Sequence, residues 1–207
     1  MNIYKKYMEL SLYQKMMITS RLLGLLKTKF YYSLFLKACG NKSIIMKPLY
    51  WTPEYISVGS NVYIWPECRI QAIPRYRDQY FNPLIEIQDG VTMEQGCHIA
   101  SAGHLVIGKN STLSSYVMIQ SVDHQYERIG VDILHQPLKN RETIIGENCF
   151  IGAGAKILAG TKLGKQCIVG ANSVLKGEYE DFSVIVGSPG RVVKHYNEKT
   201  LSWEKIN

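Results

Sequence analysis

The sequence predicts an all-β fold, a parallel β-helix with three faces per turn preceded by a helical arm, on three observations. From Ile145 to Glu180 the chain reads as six consecutive hexapeptides led by Ile145, Ile151, Ile157, Leu163, Val169 and Leu175. Position two of these units is usually glycine (Gly146, Gly152, Gly164, Gly170), and position five is small or compact (Cys149, Ala155, Thr161, Cys167, Ser173). A period of six is neither that of a helix nor that of a plain strand, and an unbroken strand would send position three inward, yet that slot holds Glu147 and Lys165 as readily as Ala153. The chain must therefore turn in every unit, near the glycine, where a residue free of Cβ constraints is cheapest. Short flat segments joined by turns, with the aliphatic leaders stacked inside, make a parallel β-helix.

In chain order, residues 1–47 come first and hold eight lysines and Arg21 against Glu9, a balance of +8 in a chain whose formal net charge is +7. The rest is close to neutral. This arm mixes Leu, Met, Tyr and Phe with the lysines and has no proline until Pro48, so it reads as helical. Its longest apolar run, Leu22 to Leu26, is far too short for a membrane span or a secretory signal. Two readings stand: a helix packed on one end of the β-helix, or an interfacial helix on an anionic membrane surface. No basic stripe continues into the repeats, which argues against nucleic acid.

The β-helix itself is expected over 48–194, with about five coils between 58 and 186. Val58 and Ile64 begin the series, Ile87, Met93 and Ile99 continue it, and Ile107, Leu113 and Ile119 lead three further units before the Ile145 tract. Two insertions break the register: 73–86, polar, aromatic and proline-bearing, and 125–144, longer than connections in compact domains normally are and so a candidate functional loop. Residues 195–207 are expected to form a short helical tail. One domain of 207 residues is large enough for a continuous core. Cys68, Cys97, Cys149 and Cys167 fall at position five, facing inward; Cys39 lies outside the frame, and the odd count without a CxxC favours a reduced, cytoplasmic setting.

The stretch from Ile144 to Lys194, IIGENCFIGAGAKILAGTKLGKQCIVGANSVLKGEYEDFSVIVGSPGRVVK, resembles the C-terminal signature of the hexapeptide-repeat acyltransferases, and with SVDH and the loop after it the resemblance covers 58–194. It implies left-handed β-helices assembled as homotrimers that use acetyl-CoA and no metal. It points to the branch that acetylates sugar hydroxyls. The basic, Leu- and Tyr-rich arm is similar to members acting in capsule and lipopolysaccharide assembly, and on that reading the protein works in the cytoplasm, with the arm able to touch the inner face of the membrane.

Acetyl transfer from a thioester to an alcohol needs a base for the hydroxyl proton, and histidine suits that task near neutral pH. His124 closes the unit IQSVDH, at the end of a strand and the mouth of the long loop, where the resembling enzymes carry their catalytic histidine. A surface histidine in a turn is the plain alternative. His104 is expected one coil below His124 on the same face, able to orient it or touch substrate, or to be an ordinary turn residue. His98, His104 and His124 could converge on a metal only across a subunit boundary. The orienting partner of His124 is open among Glu94, Glu127 and a backbone carbonyl, since strand alternation turns Asp123 away. Glu94, His104, Tyr126 and Glu127 are the candidate acceptor contacts. Many relatives show a second histidine shortly after the first, where this chain has Gln125 and Tyr126, and some carry an acceptor-binding asparagine where the register gives Glu94.

On the donor side the resemblance implies that CoA lies along an outer groove between subunits, its amides pairing with backbone exposed at Gly152, Ala153, Gly170 and Ala171. Its phosphates would meet Lys176, Arg191 and Lys194. The usual Thr-Lys pair reads Lys176-Gly177 here, shifting the lysine by one. Two rival functions remain: N-acetyl transfer to an amino sugar, which would share the whole donor side, and a non-catalytic scaffold, which would need neither His124 nor the GSPGRVVK tail.

Overall fold

In the computed structural model, which describes residues 7–206, the chain is mostly β with one N-terminal helix, and the hexapeptide units form stacked turns of three short parallel strands. The first face stacks Ala38–Cys39, Ile56–Val58, Leu84–Ile87, His104–Ile107, Thr143–Ile145, Lys162–Leu163 and Glu178–Tyr179. The second stacks Ile44–Ile45, Tyr63–Ile64, Thr92–Met93, Thr112–Leu113, Phe150–Ile151, Ile168–Val169 and Ser183–Val186. The third stacks Tyr50–Trp51, Arg69–Ala72, His98–Ser101, Met118–Gln120, Lys156–Ile157 and Val174–Leu175. Leader sits on leader: Ile87 pairs with Val58 and Ile107, Ile151 with Leu113 and Val169, Ile157 with Ile119 and Leu175, all buried in one core. Five full turns run from Ile56 to Leu175 with two strands of a further one above, and residues 38–51 add a turn below that was not expected.

The turn begins at the position-two glycine, the Ala155 amide donating to Gly152 O at 3.1 Å. Position four carries the left-handed residue, most often an asparagine, as at Asn110, Asn148 and Asn172 (φ 56°, 58° and 55°), or glycine, as at Gly90 and Gly154, with Glu67, Tyr116 and Gln166 among the exceptions in residue type. Asparagine and glycine are the residue types that adopt that conformation most cheaply. The position-two glycine is needed for a different reason: a Cβ on Gly152 would lie 2.6 Å from the backbone nitrogen of Ala171 in the next turn. Its missing side chain lets successive corners stack.

The expected arm divides in two. Helix α1 (Leu12–Phe30) opens on a capping box, with the Gln14 amide donating to Ser11 Oγ at 3.2 Å and the Ser11 amide to Gln14 Oε1 at 2.9 Å. It ends before a 3₁₀ turn, Tyr32–Leu34. One side of α1 closes the lower end of the β-helix. Thr28 is fully buried there, its Oγ1 donating to Gly24 O and accepting from the Ile45 amide, both at 2.8 Å. Tyr32 and Leu36 extend the core downward, Tyr32 packing edge-on to Trp51 at 4.9 Å. Each such side chain contributes roughly 1.5–3 kcal/mol on burial. Residues 38–51, assigned to the arm or its margin by sequence, instead form the first turn. Cys39, Ile45 and Trp51 stand six apart in it, and Cys39 pairs with Val58, so it lies inside the frame after all.

The expected helical tail is a β-hairpin. Arg191–Asn197 runs antiparallel on Ser183–Val186, and Ser202–Lys205 pairs with Arg191–Asn197. Val192, Val193 and Tyr196 suit a strand, and the open edge of the second face supplies a partner.

The insertions have other bounds than expected: the first ends before the core strand Leu84–Ile87, and the second begins earlier, taking in Val122–His124, and ends before the core strand Thr143–Ile145. Each insertion folds on itself, Arg75–Tyr76 against Gln79–Tyr80 and Val122–His124 against Leu138–Asn140. They also pack on each other. Gln79 exchanges hydrogen bonds with the Leu138 backbone in both directions (2.6 and 3.1 Å), and Tyr76 Oη donates to Leu134 O at 2.6 Å. Ala102, Val122 and Leu138 make a second small core beneath, with Ile73, Tyr76 and Phe81 against it.

Candidate active site

His124 ends the strand Val122–His124, which leaves the corner between the third and first faces and is held by its ladder to Leu138–Asn140. The chain then continues from Gln125, whose amide donates to Pro137 O at 3.0 Å. The imidazole is exposed, with the Tyr76 ring 5.5 Å away at 78°, an edge-on contact. Among the described residues no side chain hydrogen-bonds it. Tyr76 was not among the expected site residues; its signal was the cluster of aromatics in the first insertion.

Neither carboxylate proposed as the orienting partner plays that part within one chain. Glu94 accepts from the amide and hydroxyl of Ser115 one turn above, at 3.0 and 2.9 Å, and Glu127 accepts from the Tyr126 amide at 2.9 Å. Tyr126 is exposed on the same insertion as His124.

His104 is not stacked beneath His124. The second insertion lifts His124 out of the column, and Glu142 takes the level above His104. His104 Nδ1 lies 3.0 Å from Glu142 and Nε2 2.8 Å from Glu86, so the ring is clamped between two carboxylates on the first face. Partial burial lowers its pKa, but the hydrogen bonds and charges of Glu86 and Glu142 outweigh that and leave it raised. His98 points outward from the third face between Arg69 and Met118, its pKa lowered by burial and the Arg69 charge. Among the described residues no group of three metal-ligating side chains converges.

The expected donor residues occupy another corner. Gly152 and Ala153, with Gly170 and Ala171 directly above, lie between the second and third faces, and the Asn172 amide donates to Ala153 O at 2.9 Å. Ala153 and Ala171 are exposed. Glu94 is in the same column, lower down. One face of the coil, about 15–20 Å at ~3.3 Å per residue, separates this column from the corner of His124. Within one chain they do not meet.

Arg191 and Lys194 are three apart, a spacing that in a regular strand sends side chains to opposite sides. A bulge in the pairing prevents this: Arg191 sits opposite Val186 and Lys194 opposite Val184, two partners on the same side of their strand, so both cations project outward together. Lys176 is exposed at the top of the third face. The hydroxyl of Tyr179 lies 3.4 Å from Lys176 O and 3.3 Å from Gly190 O, tying that segment to the one before Arg191, a link not anticipated from the sequence. The inward cysteines are unsuited to nucleophilic chemistry. Donating a hydrogen bond to Cys68 and Cys167 respectively, together with burial, pushes the thiols of Cys97 and Cys149 up. The same bonds lower those of Cys68 and Cys167, but all four are closed off in the core, and burial raises that of Cys39.

The sequence profile of the bacterial transferase hexapeptide family (six repeats) matches residues 142–177. The chain is 31% identical over 136 residues, 62% of its length and 69% of the relative's, to WbbJ of Escherichia coli, which is named as a lipopolysaccharide biosynthesis O-acetyl transferase. It is 33% identical over 98 residues to Rv3034c of Mycobacterium tuberculosis, named as an acetyltransferase, covering 47% of this chain and 32% of that one. In fold it resembles AntD, an N-acyltransferase from Bacillus cereus solved with dTDP and 3-hydroxybutyryl-CoA, at a TM-score of 0.70 and 18% identity, over 86% of this chain and 92% of that one. The six-residue register, its realisation as stacked parallel strands and these relatives agree: the chain belongs to the hexapeptide-repeat transferase family and is an acyltransferase.

Proposed function

We propose that the protein transfers acetyl from acetyl-CoA to a hydroxyl of a sugar in surface polysaccharide, of the capsule or lipopolysaccharide kind, as a homotrimer of left-handed β-helices with His124 as general base. The observation that carries this reading is the placement of His124: at the end of a paired strand, beside Tyr76, on the platform where both insertions meet. A base on a rigid element beside adaptable loops is suited to receive varied acceptors.

In the reaction, His124 removes the acceptor proton as the oxygen attacks the thioester carbonyl. The resulting oxyanion is held by a nearby backbone N–H. Its collapse breaks the C–S bond, and the departing CoA sulfur takes the proton back from the imidazolium. Gly152, Ala153, Gly170 and Ala171 line the pantetheine, and Arg191, Lys194 and Lys176 meet the phosphates. Glu94, His104, Tyr126 and Glu127 remain the acceptor contacts in this reading, with Glu94 and His104 already engaged within their own chain.

The separation of the His124 corner from the donor corner supports an oligomer, because a neighbouring copy would bring one against the other. The second face supports it too: above Ile44 and Tyr63, which α1 covers with Gly24 and Arg21, its outward column Thr92, Thr112, Phe150, Ile168 and Val184 carries no charge, whereas the matching columns of the first and third faces carry Glu86, Lys162, Arg69 and Lys156. A cytoplasmic setting fits the five free thiols.

The test combines an acceptor panel with one variant. Acetyl-CoA is supplied with hydroxyl sugars and amino sugars. His124→Ala is expected to lower kcat roughly 10²–10⁴-fold on the best hydroxyl acceptor, with CoA affinity unchanged. Faster transfer to the amino group would overturn the O-acetyl assignment, near-wild-type transfer by the variant would overturn the base, and a fully active monomer in sedimentation would remove the trimer.

A further inference from the structure

The two readings of the basic arm, core cap and membrane contact, turn out to concern different sides of one helix. Gly24 and Thr28 face the β-helix. Leu12, Met16, Thr19, Leu23, Leu26 and Phe30 recur at alternating intervals of four and three, which at ~100° per residue places them in one stripe about 100° or more from the packed side. All six are exposed, Leu12 at 77%, Leu23 at 61% and Phe30 at 64%. Interrupted only by Thr19, whose hydroxyl donates to Lys15 O at 2.9 Å, an apolar stripe of this length on a single surface helix is far from the scattered apolar residues of an ordinary surface.

The flanks of the stripe carry charge of one sign. Lys15 lies on one side and Lys27 on the other, each about 60° from its centre, with Lys29 further round. There is no acidic residue anywhere in α1, so nothing on the helix offsets them. The helix is not long and apolar enough to cross a membrane. Its capping box and its buried Thr28 anchor fix it against the body of the protein, so the stripe is presented ready-formed.

We propose that this stripe docks the protein on an anionic lipid surface, with Leu12, Met16, Leu23, Leu26 and Phe30 entering the headgroup boundary and Lys15, Lys27 and Lys29 meeting lipid phosphates and carboxylates. An apolar stripe bordered on both sides by cations matches a surface that is apolar inside and negatively charged at its rim. A seam between protein helices would instead favour charges of both signs at its borders. In the homotrimer proposed above, cyclic symmetry sets three stripes at one level, so weak individual contacts would add as a multivalent one. That amplification rests on the trimer; the docking of a single stripe does not.

The experiment uses the full chain and sedimentation with sucrose-loaded vesicles of phosphatidylcholine alone or with about one third phosphatidylserine. The expected result is preferential binding to the anionic vesicles that weakens as ionic strength rises from about 0.05 to about 0.3 M. Lys15→Gln and Lys27→Gln should each weaken binding about fivefold, the equivalent of ~1 kcal/mol per basic residue at such a surface. The double variant Leu23→Glu/Phe30→Glu, which touches only exposed positions, should abolish binding while leaving acetyl transfer to a soluble sugar and the sedimenting species unchanged. Equal binding to neutral and anionic vesicles, or to neither, overturns the proposal. So does a shift of the double variant to a smaller assembly, which would make the stripe a contact between copies. Binding retained by the double variant overturns it as well, whereas absence of acetyl transfer by the wild type, with its vesicle binding as expected, counts against the catalytic reading alone.

Discussion

Thr28 offers the sharpest test of how the helix is joined to the β-helix. Its hydroxyl is the partner of the Ile45 amide, a buried backbone donor on the open edge of the first turn, at 2.8 Å. Thr28→Val keeps the shape and removes the acceptor. Gly24 O loses one donor but keeps its place in the helix ladder, so the cost falls on the Ile45 N–H, left buried and unpaired. Such a loss costs about 1–3 kcal/mol. Thr28→Ser keeps both hydrogen bonds and loses one methyl, worth about 0.8 kcal/mol. For a chain of this size each kcal/mol shifts Tm by roughly 2–4 °C, so the valine variant should melt roughly 2–12 °C lower, and the serine variant should lie between it and the wild type. The assay is thermal unfolding at fixed protein concentration by circular dichroism at a helix-sensitive wavelength, because α1 is the one α-helix longer than a turn or two among the described residues. A valine variant as stable as the wild type, or less destabilised than serine, would show that the Ile45 amide does not depend on Thr28.

Leu163 sits fully packed between Ile145 and Tyr179, and Leu163→Ala should cost roughly 2–5 kcal/mol in urea unfolding; an unchanged midpoint would mean the column is not close-packed. Arg191→Ala should weaken CoA binding by calorimetry while sparing kcat at saturation, and Arg191→Ala/Lys194→Ala should weaken it further, because the bulge sets both cations on one side. The clamp on His104 predicts a pH dependence of defined sign. Its folded pKa is raised by Glu86 and Glu142, so it stabilises the fold fully below the unfolded value of about 6.5 and loses that contribution as pH rises through the raised folded value. The Tm advantage of the wild type over His104→Gln should therefore be largest near pH 6 and shrink at higher pH; an advantage that grows with pH would refute it.

The sequence by itself determined the repeat, the residues of the core and the family. A hexapeptide register is local: each leader must be apolar because it stacks on the leader of the next turn, and that requirement is written at every sixth position from Ile145 to Leu175. The inward cysteines followed from the same frame. The first turn was missed although Cys39, Ile45 and Trp51 keep the spacing and Gly40 stands at position two, because cysteine and tryptophan do not read as aliphatic leaders. The tertiary structure alone decided which levels face one another across long separations. Glu142 lies 38 residues from His104 and displaces His124 as its neighbour, because the second insertion pairs with itself before rejoining the stack. Tyr76 reaches His124 because two insertions that are distant in sequence bury a shared apolar cluster. The same pairing geometry, through one bulge, turned Arg191 and Lys194 to a common side. These are consequences of which strands lie next to which, and a period of six carries information about neighbours within a turn and its stack but none about where an insertion will fold back.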